Sequence, residues 1–485
     1  MLTRRDFIQQ SALGAGALLL PDSLMANNKT HHKIKRPNVI YVLADQWRAQ
    51  DAGYADNKDV YTPHIDRLAS ESQRFKYAVS CMPVSTPYRA SLLTGQYALT
   101  HGLFLNDVTL RPDAKSIGNS YRDAGYETAY IGKWHIHGNG RSNYIPMSHR
   151  HGFEYFKALE CTHDYNHSQY YDNNDENVKI WDGYDMVAQT GDAMNYIRQQ
   201  APKEKPFLLV LSWGPPHNPY ETAPQKYTDI YRDMNITLRP NVPEEAKQQA
   251  INDIKGYYAH ISAMDDCIGD LQQTIREAGI EDNTIFVLSS DHGDMLGSQG
   301  MQRKQKPYDE SILVPFLLKY PQLFGKQGKE VTTLLNTPDI MPTLLSMSGL
   351  PVPETVEGND LFPVLSGKKK DHTEAALIQC ISPFGEWERR HGGKEYRGIR
   401  TRRYTYVKDL EGAWLLFDNE TDPYQMNNLV DNTDYSEIRK NLDSILAKML
   451  HNLNDQFLTG SAYISKWGYS VNANGTVEYS ITIHK

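Results

Sequence analysis

At 485 residues the chain exceeds what one hydrophobic core usually organises, so two domains are expected. Its 59 acidic against 51 basic residues give a formal net charge of -8, which argues against a nucleic-acid binder. An anionic ligand must then be held by local clusters of cationic side chains.

The first ten residues, M-L-T-R-R-D-F-I-Q-Q, precede an apolar stretch from Ala12 to Leu20, with a small residue at Ala26. This pattern reads as a cleavable export signal over residues 1–28, and Arg4-Arg5 resembles a twin-arginine signal. The apolar run is too short to span a bilayer permanently. Export to a bacterial periplasm is therefore the expectation. The run N-V-I-Y-V-L-A then leads into Asp45-Gln46. Next comes S-T-P-Y-R-A-S-L-L-T-G, from Ser85 to Gly95, which reads as a helix with Ser85 at its N-cap, Pro87 in the first turn and Gly95 as its stop.

Three further apolar runs of strand length end in polar residues. T-A-Y-I runs into Gly132-Lys133-Trp134-His135, F-L-L-V-L-S into Pro215-Pro216-His217, and T-I-F-V-L-S-S into Asp291-His292-Gly293. Continuous apolarity predicts strands covered on both faces, as in a parallel sheet flanked by helices. Ligands bind outside the carboxyl ends of such strands, so these termini should converge on one edge. A helix is expected from about Pro243 to Ala278, and another after Asp339, which is placed to cap it. G-K-K-K-D-H near residue 370 reads as a linker. Beyond it the pattern changes to short tyrosine-rich strands and a helix from about Tyr435 to Leu453, a smaller α+β domain over residues 371–485 after a catalytic domain over 29–370. Four cysteines (Cys81, Cys161, Cys267, Cys380) show neither metal spacing nor a disulfide framework, which favours free buried thiols, with one bridge as the alternative.

The Ser85 run resembles the signature of type I sulfatases, S/C-x-P-x-R followed by a short helix and T-G. Cys81 begins a rival frame, C-M-P-V-S, but Ser85 occupies the place of the arginine, so that frame fails. D-H-G-D-M-L-G-S-Q-G, G-K-W-H, P-P-H-N-P-Y, D-I-M-P-T-L-L and L-F-D-N-E-T-D-P-Y-Q-M-N-N-L also resemble sulfatase blocks, in the family's order. The resemblance implies an alkaline-phosphatase-like fold: a large, mostly parallel sheet flanked by helices, with a smaller C-terminal α+β domain.

It also implies a chemistry. Serine is a weak nucleophile at neutral pH. In the family this position is oxidised to formylglycine, whose hydrate attacks sulfur with one hydroxyl and expels sulfate with the other. Ser85 would supply this group after a serine-oxidising maturation enzyme has acted, and Arg89 would orient it. Asp45, Gln46, Asp291 and His292, with the oxygen on residue 85, would hold one divalent cation. Hard oxygen ligands favour Ca²⁺, whereas the imidazole of His292 admits Mn²⁺ or Zn²⁺. Lys133 and Lys304 would face the sulfuryl oxygens, with Lys306 a nearby competitor for the second place. His217 and Lys304 would protonate the leaving oxygen, and His135 would act as base for sulfate release.

The substrate is less legible. The polar, aromatic stretch from Cys161 to Tyr171 offers His163, Asp164 and His167; Asn106, Trp213, Trp387 and Arg390 are further candidates to grip a sugar. The reading is an exported carbohydrate sulfatase. Its alternatives are a formylglycine-dependent phosphonate monoester or phosphodiester hydrolase, and an unmodified, inactive homologue that binds glycans.

Overall fold

The four apolar runs become neighbouring strands, because residues apolar on every side need a layer on each face. In the computed structural model, which describes residues 35–479, they are β1 (Asn38–Asp45), β2 (Glu127–Lys133), β3 (Phe207–Pro216) and β4 (Thr284–Ser290). The expected export signal lies outside the described residues. The four strands run parallel in the order β4-β1-β3-β2, at the centre of a ten-stranded sheet. Outward from β2 come Tyr155–Leu159 (parallel), then Gln169–Asp172 and Asp175–Ile180 in a hairpin; outward from β4 comes Phe316–Lys319 (antiparallel), then Gln73–Phe75 and Lys329–Val331. The sheet is thus mostly parallel, with antiparallel pairing confined to its flanks.

Alternation along β1 divides the core. Val39, Tyr41 and Leu43 face a layer containing Leu92 and Leu93 of the helix Ser85–Thr94 and Leu344 of the helix Ile340–Met347. Ile40, Val42 and Ala44 face the helices Asp185–Gln200 and Lys247–Glu277 through Ile197, Tyr257 and Ile268. Two apolar layers on one sheet give a three-layer sandwich.

Two sequence expectations about caps shift by a few residues. Val84, not Ser85, is the N-cap of the helix Ser85–Thr94; Ser85 is its first helical residue and turns its hydroxyl to the site instead. Asp339 caps through an earlier turn: Asn336 and Asp339 form a capping box around the 3₁₀ turn Thr337–Asp339 that leads into the helix. Gly95 does end the helix at φ 67, with its N–H donated to the Ser91 carbonyl.

C-terminally, Ala376–Cys380, Tyr396–Arg400, Tyr404–Asp409 and Gly412–Asp418 form a four-stranded antiparallel sheet, on which the helix Ser436–Asn452 packs. Arg400 fastens it to the large sheet's layer by paired bonds to Asp309 at 2.9 Å each. All four cysteines are free and buried.

Candidate active site

Register brings the strand ends level. Ala44 pairs with Ser290 and Asp45 with Pro216, so β1, β3 and β4 finish together and release Asp45, His217 and Asp291 at one edge. Ser85 Oγ lies 3.2 Å from Asp45 Oδ2 and 3.1 Å from His292 Nε2. Ligand atoms of Asp45, Asp291 and His292 all lie within 4.8 Å of one another. His292 Nδ1 donates to the Gly293 carbonyl at 3.0 Å, which leaves the Nε2 lone pair facing Ser85 and the carboxylates.

Cations surround this group. Lys133 Nζ donates to Asp45 Oδ2 at 2.6 Å, and Arg89 Nη2 to Asp45 at 3.1 Å and Asp291 at 3.4 Å. Burial alone would raise the Asp45 carboxyl, but Lys133 and Arg89 hold it well below the usual carboxylate range. Asp291 is pushed up to about 6 by burial and by the Asp45 charge beside it. His292 is pushed down to about 3 by burial and by Lys304, so its ring is neutral. Two carboxylates and one neutral imidazole nitrogen aimed at one point are a donor set that fits a divalent cation.

Gln46, the remaining ligand candidate, is engaged within the protein. Its backbone N–H donates to Asp291, but its side-chain oxygen is taken by Lys304 Nζ at 3.0 Å and its amide donates to Asp294 at 2.7 Å. Gln46 therefore links the acidic group to Lys304. Asp294, which the sequence reading missed, also accepts the Tyr220 hydroxyl and the Leu296 and Arg303 N–H groups.

Ser85 opens into a cavity of about 310 Å³, which Lys133, His135, His217 and Lys304 also line. Lys304 Nζ and His217 Nε2 are 2.7 Å apart, and His217 Nδ1 donates to the Asn218 carbonyl at 2.8 Å. Burial and the Lys304 charge hold His217 well below its ordinary range; Lys304 itself is lowered by burial. Across the cavity His135 Nε2 meets Asp107 Oδ1 at 3.3 Å, and Asp107 is gripped by Arg141 at 2.8 and 2.7 Å. His135 Nδ1 is buried without a hydrogen-bond partner among the described residues. Lys306, the competitor of Lys304, donates to the Gln302 carbonyl over the Trp387 ring and does not line the cavity.

The sugar-binding candidates divide. Asn106 and His163 line the cavity, Asn106 accepting the Thr86 N–H and His163 stacking on His217 at 4.6 Å. Trp213 is a correction: it is 0 % exposed inside β3, packed in the core, and no ligand reaches it. Trp387 is likewise buried, in the cluster beneath the small sheet. Arg390 is exposed but outside the cavity, tied to Glu388 and Asn474. Asp164 and His167 are exposed residues that close their own loop, Asp164 accepting the His167 N–H, and neither lines the cavity. Sequence reasoning missed Arg141, Asn218, Arg303, Glu386, Thr476 and Tyr479, which do line it. A larger cavity of about 510 Å³, bordered by Tyr97, Asn336, His372 and Lys448, contains none of these groups.

Comparison with known proteins gives two matching family models, described as sulfatase over residues 37–350 and as N-sulphoglucosamine sulphohydrolase, C-terminal, over residues 297–452. A Formosa agariphila protein named ulvan-active sulfatase is 43 % identical over 441 residues, 90 % of this chain and 86 % of that protein. An endo-4-O-sulfatase of Bacteroides thetaiotaomicron is 30 % identical, over 92 % of this chain and 98 % of its own. A solved Bacteroides fragilis structure named for a sulfatase superposes with a TM-score of 0.80 at 30 % identity, covering 91 % of this chain and 100 % of that one.

Proposed function

The chain belongs to the sulfatase family, and from that premise we propose that it hydrolyses a sulfate monoester on a carbohydrate, with Ser85 oxidised to formylglycine as the attacking residue. The observation that carries this reading is the position of Ser85: within hydrogen-bond reach of both Asp45 and His292, at a cavity lined by Lys133 and Lys304. Cys81 is no rival here, since its thiol is buried against Ser91 and pushed up to about 11 by that burial. The relatives named for ulvan and for 4-O-sulfate action support a sulfated polysaccharide or its fragments as substrate.

Asp45, Asp291 and His292 would hold one divalent cation, Ca²⁺ before Mn²⁺ or Zn²⁺, which when bound supplies positive charge to the sulfuryl oxygens. The formylglycine, made by a serine-oxidising maturation enzyme, supplies a stronger nucleophile than a serine hydroxyl. The chain's own side chains do the rest. Arg89 donates to both carboxylates and fixes their spacing. Lys133 and Lys304 neutralise the ester's equatorial charge. The Lys304 ammonium and His217 Nε2 share a proton across 2.7 Å, placed for delivery to the leaving sugar oxygen. Asp107 holds the His135 Nε2 proton, so its unpartnered Nδ1 acts as base for sulfate release. No helix among the described residues is long and apolar enough to cross a membrane; export to a periplasm is proposed from the twin-arginine-like sequence of residues 1–28.

Paired assays on an aryl sulfate and an aryl phosphodiester, followed by defined sulfated saccharides, test the reaction. Preference for the sulfate, and sulfate release from at least one saccharide, is expected; preference for the diester would contradict it. Asp291→Ala should lose bound divalent metal in elemental analysis, and unchanged metal content would remove that residue from the ligand set.

A further inference from the structure

Arg303 precedes Lys304 in a loop held tightly from both sides. Its backbone sits in the left-handed region at φ 64, uncommon for a non-glycine residue. Its N–H donates to Asp294 Oδ1 at 2.8 Å and its carbonyl accepts the Met295 N–H at 2.9 Å. Two residues on, the Gln305 side chain clasps the backbone of Phe384, donating at 2.9 Å and accepting at 3.2 Å. The guanidinium rests over the Tyr220 ring, 4.9 Å from its centroid, and donates from Nη1 to the Tyr220 hydroxyl.

What distinguishes Arg303 is its unfilled fork. Arg89 uses both terminal nitrogens on Asp45, Asp291, Ser212 and the Lys133 carbonyl and is buried against two carboxylates, and Arg141 is paired edge to edge with Asp107. Arg303 lines the same cavity and is only partly exposed; Asp294, Asp253 and Glu386 act on its charge from a distance, but among the described residues no carboxylate makes an ion-pair contact with its guanidinium. Glu386, on the cavity wall, is exposed and makes no hydrogen bond to it. A guanidinium carries five N–H donors in a plane suited to a carboxylate or sulfate. A sulfate monoester brings one negative charge, and Lys133 and Lys304 already stand where that charge is bound. The pre-set, unpaired cation beside them calls for a second anion.

We propose that Arg303 receives a second anionic group of the substrate, a carboxylate or a further sulfate ester, carried on the sulfated sugar or its neighbour. Arg303 thereby makes the enzyme selective for saccharides with two negative charges close together. The assignment rests on the carbohydrate sulfatase reading above.

The test is competitive inhibition of 4-nitrophenyl sulfate hydrolysis by three matched sets of sugars: hexose monosulfates, uronic acid monosulfates and hexose disulfates. The wild type should bind at least one member of the doubly charged sets about tenfold or more tighter than its monosulfate counterpart. Which set it prefers separates a carboxylate from a second sulfate. Arg303→Ala should bring that ratio within about twofold of unity, and Arg303→Lys, which keeps charge without the fork, should fall between. Arg303→Gln serves in place of the alanine variant should that one fail to fold. A ratio that survives loss of the guanidinium overturns the assignment, as does a wild type without preference for any doubly charged sugar. Inhibition by no sulfated sugar at all, with aryl sulfate still hydrolysed, overturns the carbohydrate reading itself.

Discussion

At the scale of single residues, the two cavity histidines differ in what is left free: His135 Nδ1 has no partner among the described residues, whereas both nitrogens of His217 are engaged. His217 is held by its Nδ1 proton on a carbonyl and by Lys304 at Nε2, the pair proposed above to deliver a proton. His217→Ala should therefore slow release of a sugar alcohol by about 10²–10⁴-fold, while esters of acidic nitrophenols, which leave without protonation, lose far less. Equal losses on both substrates in kcat measurements would exclude leaving-group protonation as the role of His217. Glu160 gives a residue-scale prediction away from the chemistry. One of its oxygens accepts the His137 and Gly138 N–H groups at 2.7 Å each, while the other is buried without a partner. Burial pushes its carboxyl up to about 8 from an ordinary 4.5. The unfolded chain releases this proton near 4.5 and the folded chain holds it to about 8, so the group makes stability fall as pH rises through that window. Glu160→Gln keeps the accepting oxygen and removes the titration. Its melting temperature relative to wild type should rise between pH 5 and pH 8, and a constant difference would refute the buried-acid account.

At the scale of elements, the strand ends were readable in the sequence and the cavity walls were not. Uninterrupted apolar runs ending at Asp45, Lys133, His217 and Asp291 carry both the strand and its exit, so periodicity alone locates them. Trp213 misled because the apolar run was closed at Ser212, whereas β3 continues to Pro216 and turns the indole into the core. Arg141, Glu386 and Tyr479 come from three distant segments without periodicity, and only the tertiary fold brings them to one cavity. The place of Gln46 beside Asp45 is visible in sequence, while the contact of its amide oxygen with the Lys304 ammonium is not. Element packing also explains a motif glycine. Gly132, in β2, has φ 104, and a Cβ there would lie 2.0 Å from the Ser212 carbonyl oxygen of β3. Gly132→Ala must push β2 off β3 just where Lys133 reaches Asp45. A loss of about 2–3 kcal/mol in denaturant unfolding is expected, with activity falling alongside it; wild-type stability in this variant would show that the strands tolerate the separation.

At the scale of the whole molecule, residues beyond the small antiparallel sheet, Thr476 and Tyr479, reach back to line the cavity at Ser85. The described residues from Arg36 onward form one compact unit. Arg400–Asp309 is a buried, two-bond ion pair across the boundary between the sheets' layers. Arg400→Ala leaves Asp309 buried without its cation and should cost about 3–5 kcal/mol, seen as a lower melting temperature. A change within about 0.5 kcal/mol would mean that this ion pair contributes little to holding the sheets together.

The account as a whole turns on residue 85. A serine hydroxyl placed between Asp45 and His292 explains the geometry, but sulfate transfer at neutral pH requires it to be something more reactive. Mass spectrometry of the Ser85-containing peptide, taken from native protein that hydrolyses an aryl sulfate, measures this directly. The account predicts a peptide lighter by two hydrogen atoms, as an aldehyde is relative to serine. An active preparation whose peptide carries only unmodified serine would contradict it.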